Sequence, residues 1–142
     1  MTANETLYGS ADAITGILDD SQTWFVVGLG NNPERTAYEV AAQLQERGKR
    51  IVPIYPRAEV VHGEQGYASI AEAVEAVGVP DVVDVFVASN RAGQVADEAI
   101  AAGAKAVWFQ LGVIDEDAAQ RVVDAGITMV MDTCPLIEWR TR

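Results

Sequence analysis

The chain has 142 residues, about half of them apolar, with ten Lys and Arg against 21 Asp and Glu and a net charge of −11. That length suits one domain with its own core, over residues 1–142, and that composition excludes a disordered chain. The scattered cations exclude the basic stripe that a nucleic acid requires, whereas a small anion needs only two or three local cations and oriented N–H groups.

The N-terminal stretch MTANETLYGSADA has no basic cluster followed by an apolar run, so no signal peptide is expected. Residues 10–19 predict an entry helix with Ser10 as its N-cap. Residues 23–29 predict the first strand, running into GLGNNPER. A strand that ends in Gly28-x-Gly30 and opens onto a helix gathers backbone N–H groups at a helix N-terminus, a ready site for a phosphate. Pro33 stands where a dinucleotide fingerprint would place its third glycine. Asn32 either supplies an amide to a ligand or starts a turn before Pro33. Arg35 either reaches back to a diphosphate with its planar donor fork or pairs on the surface with Glu34 or Glu39.

Residues 36–47 predict a helix stopped by Gly48. Ile51–Tyr55 reads as a strand, and Pro53 within it points to a sheet edge. Pro56-Arg57 follows where a ribose-diol site would carry an acidic residue. A cation there suits a 2′- or 3′-phosphate; otherwise Arg57 is a solvated charge beside Glu59. Residues 57–68 are irregular, with a short strand expected around Glu59–His62. Residues 69–77 predict a helix with Ser69 and Glu72 as a capping box.

Asp81–Ala88 reads as a strand. Residues 90–102 predict a helix capped by Asn90 and ended by Gly103, with ligand contact by Arg91 left open. Residues 105–111 read as a strand. Gln110-Leu111-Gly112 then puts a polar group and a glycine on one rim, or makes an ordinary strand-to-helix turn. Residues 115–125 predict a helix and Ile127–Met131 the last strand. The tail 135–142 is expected to pack through Ile137 and Trp139. Trp24, Phe86, Trp108 and Phe109 read as core.

Alternating helices and nearly continuous apolar strands predict a Rossmann-type, doubly wound, mainly parallel α/β sheet with helices on both faces, in a single domain. Ligands in such sheets bind beyond the strands' carboxyl ends, here near residues 28–35, 55–57, 87–91, 110–113 and 131–134. No apolar run approaches the ~20 residues of a membrane span. Cys134, the lone cysteine, can close no disulfide within the chain, and a cytoplasmic location is expected. It has no evident base, since His62, the lone histidine, falls in an irregular loop; one His and one Cys make no metal-ligand set.

Three segments resemble one family: VVGLGNNPERTAYEVAAQLQERGKRIVPIYPR, DVVDVFVASNRAGQVADEAIAAGAKAVWFQLGV and AGITMVMDTCPLIEW. They resemble the small single-domain CoA-binding proteins, a family similar to the N-terminal CoA-binding domain of the succinyl-CoA synthetase alpha subunit. The resemblance covers about residues 7–138. It implies Gly28, Gly30, Asn32 and Arg35 at the diphosphate and Arg57 near the adenosine 3′-phosphate. It implies Ala88, Arg91, Gln110 and Gly112 along the adenine and pantetheine path. Tyr55, Thr133 and Trp139 depart from the family's usual Asn, Arg and His. The expected function is binding of CoA or an acyl-CoA without catalysis, because the synthetase's chemistry resides in a phosphorylated histidine, a second domain and a partner subunit. Two alternatives remain: an NADP-binding oxidoreductase or sensor, and a ligand-free protein-interaction module on the same fold.

Overall fold

The computed structural model describes residues 3–142. In chain order its elements are α1 (Ala3–Tyr8), α2 (Ala11–Asp20), β1 (Thr23–Val27), α3 (Thr36–Glu46), β2 (Arg50–Ile54) and α4 (Ile70–Val77). They continue with β3 (Val82–Val85), α5 (Ser89–Ala102), β4 (Ala106–Phe109), α6 (Glu116–Asp124), β5 (Thr128–Val130) and α7 (Pro135–Arg140). All strand pairings are parallel, in the order β2-β1-β3-β4-β5. The chain therefore winds one way from β1 to β2 and the other way from β3 onward. The carboxyl ends of β1 and β3 flank the switch point, where a crevice opens.

Every residue of β3 and of β4 is buried, as a strand with both faces covered must be. The register sets Phe25, Val83, Val107 and Met129 in one row. That row packs in one cluster with α4, α5 and α6 through Ala73, Ala96, Ala99 and Val122. On the opposite face Val26, Asp84, Trp108 and Val130 share a row. There α2 and α3 cover the sheet through Ile14, Leu18, Val40 and Leu44. Trp24 and Trp108 lie with ring centroids 5.7 Å apart. Their indole N–H groups donate to Ser21 Oγ and to the Thr133 carbonyl, both at 2.8 Å. Each such large apolar side chain contributes on the order of 2 kcal/mol by leaving water.

Local chemistry sets most boundaries. Ser10 caps α2 by accepting from the Ala13 N–H, and Ser69 caps α4 by accepting from the Glu72 N–H. Glu72 Oε2 reaches back to the Ala68 N–H, so the box closes one residue earlier than the Ser69 amide. Pro53 lies on the edge strand β2, where its missing donor leaves no ladder partner wanting.

One helix was not foreseen, and three expectations are corrected. α1 was not foreseen: six residues cannot hold a helix by propensity, and this one is fixed by Leu7 docking into the core. The strand expected around Glu59–His62 is absent; Val61 and Glu64 form a tight bridge, and Tyr67 makes a single parallel bridge to Ile54. α5 starts at Ser89 with Ala88 as N-cap, so Asn90 is inside the helix and does not cap it. The tail packs through Leu136 and Trp139, while Ile137 stays 46% exposed. Arg47 lies 4.3 Å above the Trp139 ring. Among the described residues no helix is long and apolar enough to cross a membrane.

Candidate ligand cleft at the carboxyl rim

The glycine turn after β1 is tight. Gly28 has φ 99°, and its N–H donates to the Ile54 carbonyl at 2.8 Å. A Cβ on Gly30 would stand 3.1 Å from Glu59 Oε1. Asn32 Oδ1 accepts from the Glu34 N–H at 3.0 Å, and its carbonyl accepts from the Arg35 N–H at 3.1 Å. Asn32 is thus the turn former, and that turn sets Arg35 as the N-cap residue of α3.

Three chambers open along the rim. One of about 350 Å³ lies between the start of α3 and the start of α7, walled by Thr36, Phe86, Gln110, Val113, Cys134 and Ile137. A second of about 580 Å³ lies between Tyr55–Arg57 and the segment Phe86–Arg91. A third of about 380 Å³ is walled by Gly30, Asn31, Asn32, Tyr55 and Glu59. Arg35 lines all three, and Gly28 and Arg57 line the last two. Ala88 and Arg91 line the second chamber and Gln110 the first. Gly112 lines none of them. Its N–H donates to Asp132 Oδ1 at 2.7 Å, and its carbonyl accepts from the Ser89 hydroxyl at 3.3 Å. Ser89 Oγ also accepts from the Ile114 N–H at 2.9 Å.

The charge around these chambers is uneven. Among the described residues the ion pairs are Lys105–Asp81, Arg121–Asp97 and Arg142–Glu138. Arg35, Arg57 and Arg91 have none, although Glu59 and Glu98 stand on the same walls. α3 and α5 start against the cleft with no side-chain cap, whereas Ser10, Ser69 and Asp115 cap α2, α4 and α6. Uncapped N–H groups and the positive end of the helix dipole favour an anion.

Two residues near the cleft were not foreseen in these roles. Phe86 is half-buried and walls two chambers, because it follows the last buried residue of β3. Asp84 is fully buried in the middle of β3, and Gln110 Nε2 donates to its Oδ1. Burial pushes the Asp84 carboxyl up to about 8, against a smaller downward pull from Gln110. Its Oδ2 is the one buried side-chain oxygen or nitrogen without a partner among the described residues. A lone Asp inside the apolar run DVVDVFV was the available signal.

His62 has φ 51°, donates from Nε2 to the Tyr38 carbonyl at 2.8 Å, and lies against the Tyr38 ring at 4.2 Å. No contact joins it to Cys134 among the described residues. No group of three or more His, Cys, Asp or Glu that could hold a metal occurs among them either. A separate hollow of about 420 Å³ lies at the opposite, amino end of the sheet, against Asp12, Asp20 and Asp81. Its carboxylates suit no anion.

Fold and cleft together define a Rossmann-type domain with an open crevice at its switch point. Residues 22–140 match the CoA binding domain family, and the chain belongs to that family. It is similar to the uncharacterized protein YneT of Bacillus subtilis strain 168, with 34% identity over 121 residues, 85% of this chain and 87% of that one. It is also similar to a hypothetical protein from Pyrococcus horikoshii OT3, with 30% identity, a TM-score of 0.85 and coverage of 93% and 91%. The dinucleotide forming acetyl-coenzyme A synthetase 1 of Ca. Korarchaeum cryptofilum shares the fold at 20% identity and a TM-score of 0.66; the likeness covers 79% of this chain and 26% of that enzyme.

Proposed function

We propose that this protein binds CoA or an acyl-CoA along the carboxyl rim and carries out no catalysis of its own. The observation that carries the reading is Arg35. It lines all three chambers and, among the described residues, makes no ion pair, in a sequence with 21 acidic residues. In this reading Arg35, the Gly28–Gly30 turn and the uncapped start of α3 take the diphosphate. Arg57 takes the 3′-phosphate, and Ala88 and Arg91 border the adenosine. Asn32 shapes the turn and Gly112 braces the rim through Ser89 and Asp132. The family supports CoA as the ligand. The separate engagements of His62 and Cys134 support a non-catalytic role, since a thiol nucleophile needs a base within hydrogen-bond reach.

Titration calorimetry tests the reading. CoA is expected to bind with micromolar or better affinity, about −8 kcal/mol. Dephospho-CoA is expected to bind more weakly. Equal affinities remove Arg57 from its role. Tighter binding of NADP overturns the CoA reading, and binding of neither leaves a protein-interaction module.

A further inference from the structure

The third chamber holds a charge that works against its own site. Gly28, Gly30, Arg35 and Arg57 line it, and so does Glu59. Glu59 is half-buried, and its Oε1 lies 3.1 Å from where a Cβ on Gly30 would stand. The carboxylate thus rests against the glycine turn to which the diphosphate is assigned. Among the described residues it forms no ion pair and takes part in no side-chain hydrogen bond. Neither Arg35 nor Arg57 cancels its charge, although both share the chamber.

The backbone fixes that position. Ala58, just before it, holds φ 50°, a left-handed conformation that a residue with a side chain adopts only under constraint. The Ala58 N–H donates to the Tyr55 carbonyl at 2.8 Å. Beside Glu59 stands Gly66, where any Cβ would overlap the Glu59 carbonyl oxygen. Just after Glu59, the Val60 carbonyl accepts from Asn31 Nδ2 at 2.8 Å, which ties the segment to the glycine turn. A strained residue, a close approach and a cross-tie thus hold three consecutive residues, 58 to 60. A solvated surface carboxylate would need none of them. Only the Glu59 side chain is left free to swing.

We propose that Glu59 is a specificity-determining residue whose carboxylate guards the glycine turn against small anions. The inference rests on the assignment of the diphosphate to that turn. A phosphate that approaches Gly30 meets a like charge in a half-buried place, where water screens it less than in bulk. A small anion has contacts at the turn alone and is turned away. A ligand held also at Arg57 and along the second chamber has further contacts to set against the repulsion, and it swings the Glu59 side chain aside. The cleft thereby selects a long diphosphate ester, anchored at several points, over free inorganic anions.

The test is titration calorimetry of wild type, Glu59→Gln and Glu39→Gln with CoA and with inorganic pyrophosphate. Glu59→Gln keeps the side-chain shape and removes the charge. Glu39→Gln removes a charge from the first turn of α3, outside all three chambers. Glu59→Gln binds both compounds about tenfold more tightly than wild type, and Glu39→Gln stays within about twofold of it. The advantage of Glu59→Gln shrinks at about 1 M salt, where charges are screened. No gain for pyrophosphate in Glu59→Gln overturns the guard; if CoA still binds, the phosphate assignments stand. Weaker CoA binding by Glu59→Gln overturns it too and makes Glu59 a ligand contact. An equal gain in Glu39→Gln overturns it as an effect of net charge. A gain for pyrophosphate without any binding of CoA upholds the guard and overturns the CoA reading. Binding of neither compound by any of the three proteins overturns both.

Discussion

Gly28 and Phe86 meet so closely that a Cβ on the glycine would stand 3.3 Å from both the Cβ and the carbonyl oxygen of Phe86. The two residues follow β1 and β3, the strands that part company at the switch point. Gly28 also holds φ 99°, where an L side chain is strained. Gly28→Ala is therefore expected to cost roughly 1–3 kcal/mol of stability and to weaken CoA binding by displacing Phe86. Urea unfolding and calorimetry read the two effects separately. Unchanged values in both would remove the contact from its structural role.

Arg35→Ala is expected to cost roughly 1.5–3 kcal/mol of CoA binding, the range of a charge-assisted hydrogen bond. The midpoint of thermal unfolding without ligand is expected to stay nearly constant, because Arg35 makes no ion pair among the described residues and α3 has no side-chain cap to lose. A large drop in stability with affinity intact would make Arg35 a structural residue.

Asp84 sets a pH dependence on the alkaline side. Its folded carboxyl titrates at about 8, raised from 3.8 by burial. Between those values the folded chain holds a proton that the unfolded chain releases. The contribution to stability is fully present below 3.8 and is lost as pH rises through about 8. Asp84→Asn cannot ionise. It is expected to exceed wild type by about 1–3 kcal/mol at about pH 9 and to converge with it only as pH falls to 3.8 and below. Denaturant titrations across this range check the crossing; parallel curves for the two proteins would refute it.

Asp81 acts on the acid side. Burial raises its carboxyl, but the Thr23 and Gln22 amides, with Lys105, outweigh burial and hold it below its ordinary value. Oδ2 accepts from those two amides at 2.9 and 2.8 Å, fastening the start of β1 beside β3. The stability it contributes is present above its ordinary titration range and is lost as pH falls through the depressed folded value. Asp81→Ala is expected to cost about 1 kcal/mol at pH 7. The gap from wild type is expected to close in acid, which acid unfolding curves will show.

His62→Ala and Cys134→Ala are both expected to keep CoA affinity within a few-fold, and wild type is expected to show no acyl-CoA hydrolysis. His62→Ala is expected to lower stability by roughly 1 kcal/mol through loss of the Tyr38 contacts. Hydrolysis that disappears in either variant would overturn the non-catalytic reading.

What was legible in the sequence was local. Ser10, Ser69 and the glycine stops act within a few residues of where they stand, and Pro53 announces an edge by what it lacks. The alternation of apolar runs gave the parallel sheet for the same reason. What stayed hidden depends on distant partners. α5 starts one residue earlier than Asn90 suggested, and its first residue, Ser89, bonds to Ile114, 25 positions away. Asp84 gains its meaning from Gln110, 26 positions on, which no spacing rule connects. The placements of Arg35 and Arg57 were anticipated from the ends of their strands, but their freedom from Glu34, Glu39 and Glu59 could be seen only in three dimensions.

The outer border of β2 carries a consequence for association. Pro53 offers no amide proton there, its carbonyl is taken by the Tyr67 N–H at 2.9 Å, and the Tyr55 N–H is taken by the Tyr67 carbonyl at 3.0 Å. A second molecule that laid a strand along this border would meet a gap in donors and acceptors already in use. The sheet is thereby closed to runaway edge-to-edge stacking on that side, and concentrated solutions gain protection from fibrous aggregation at the level of the backbone.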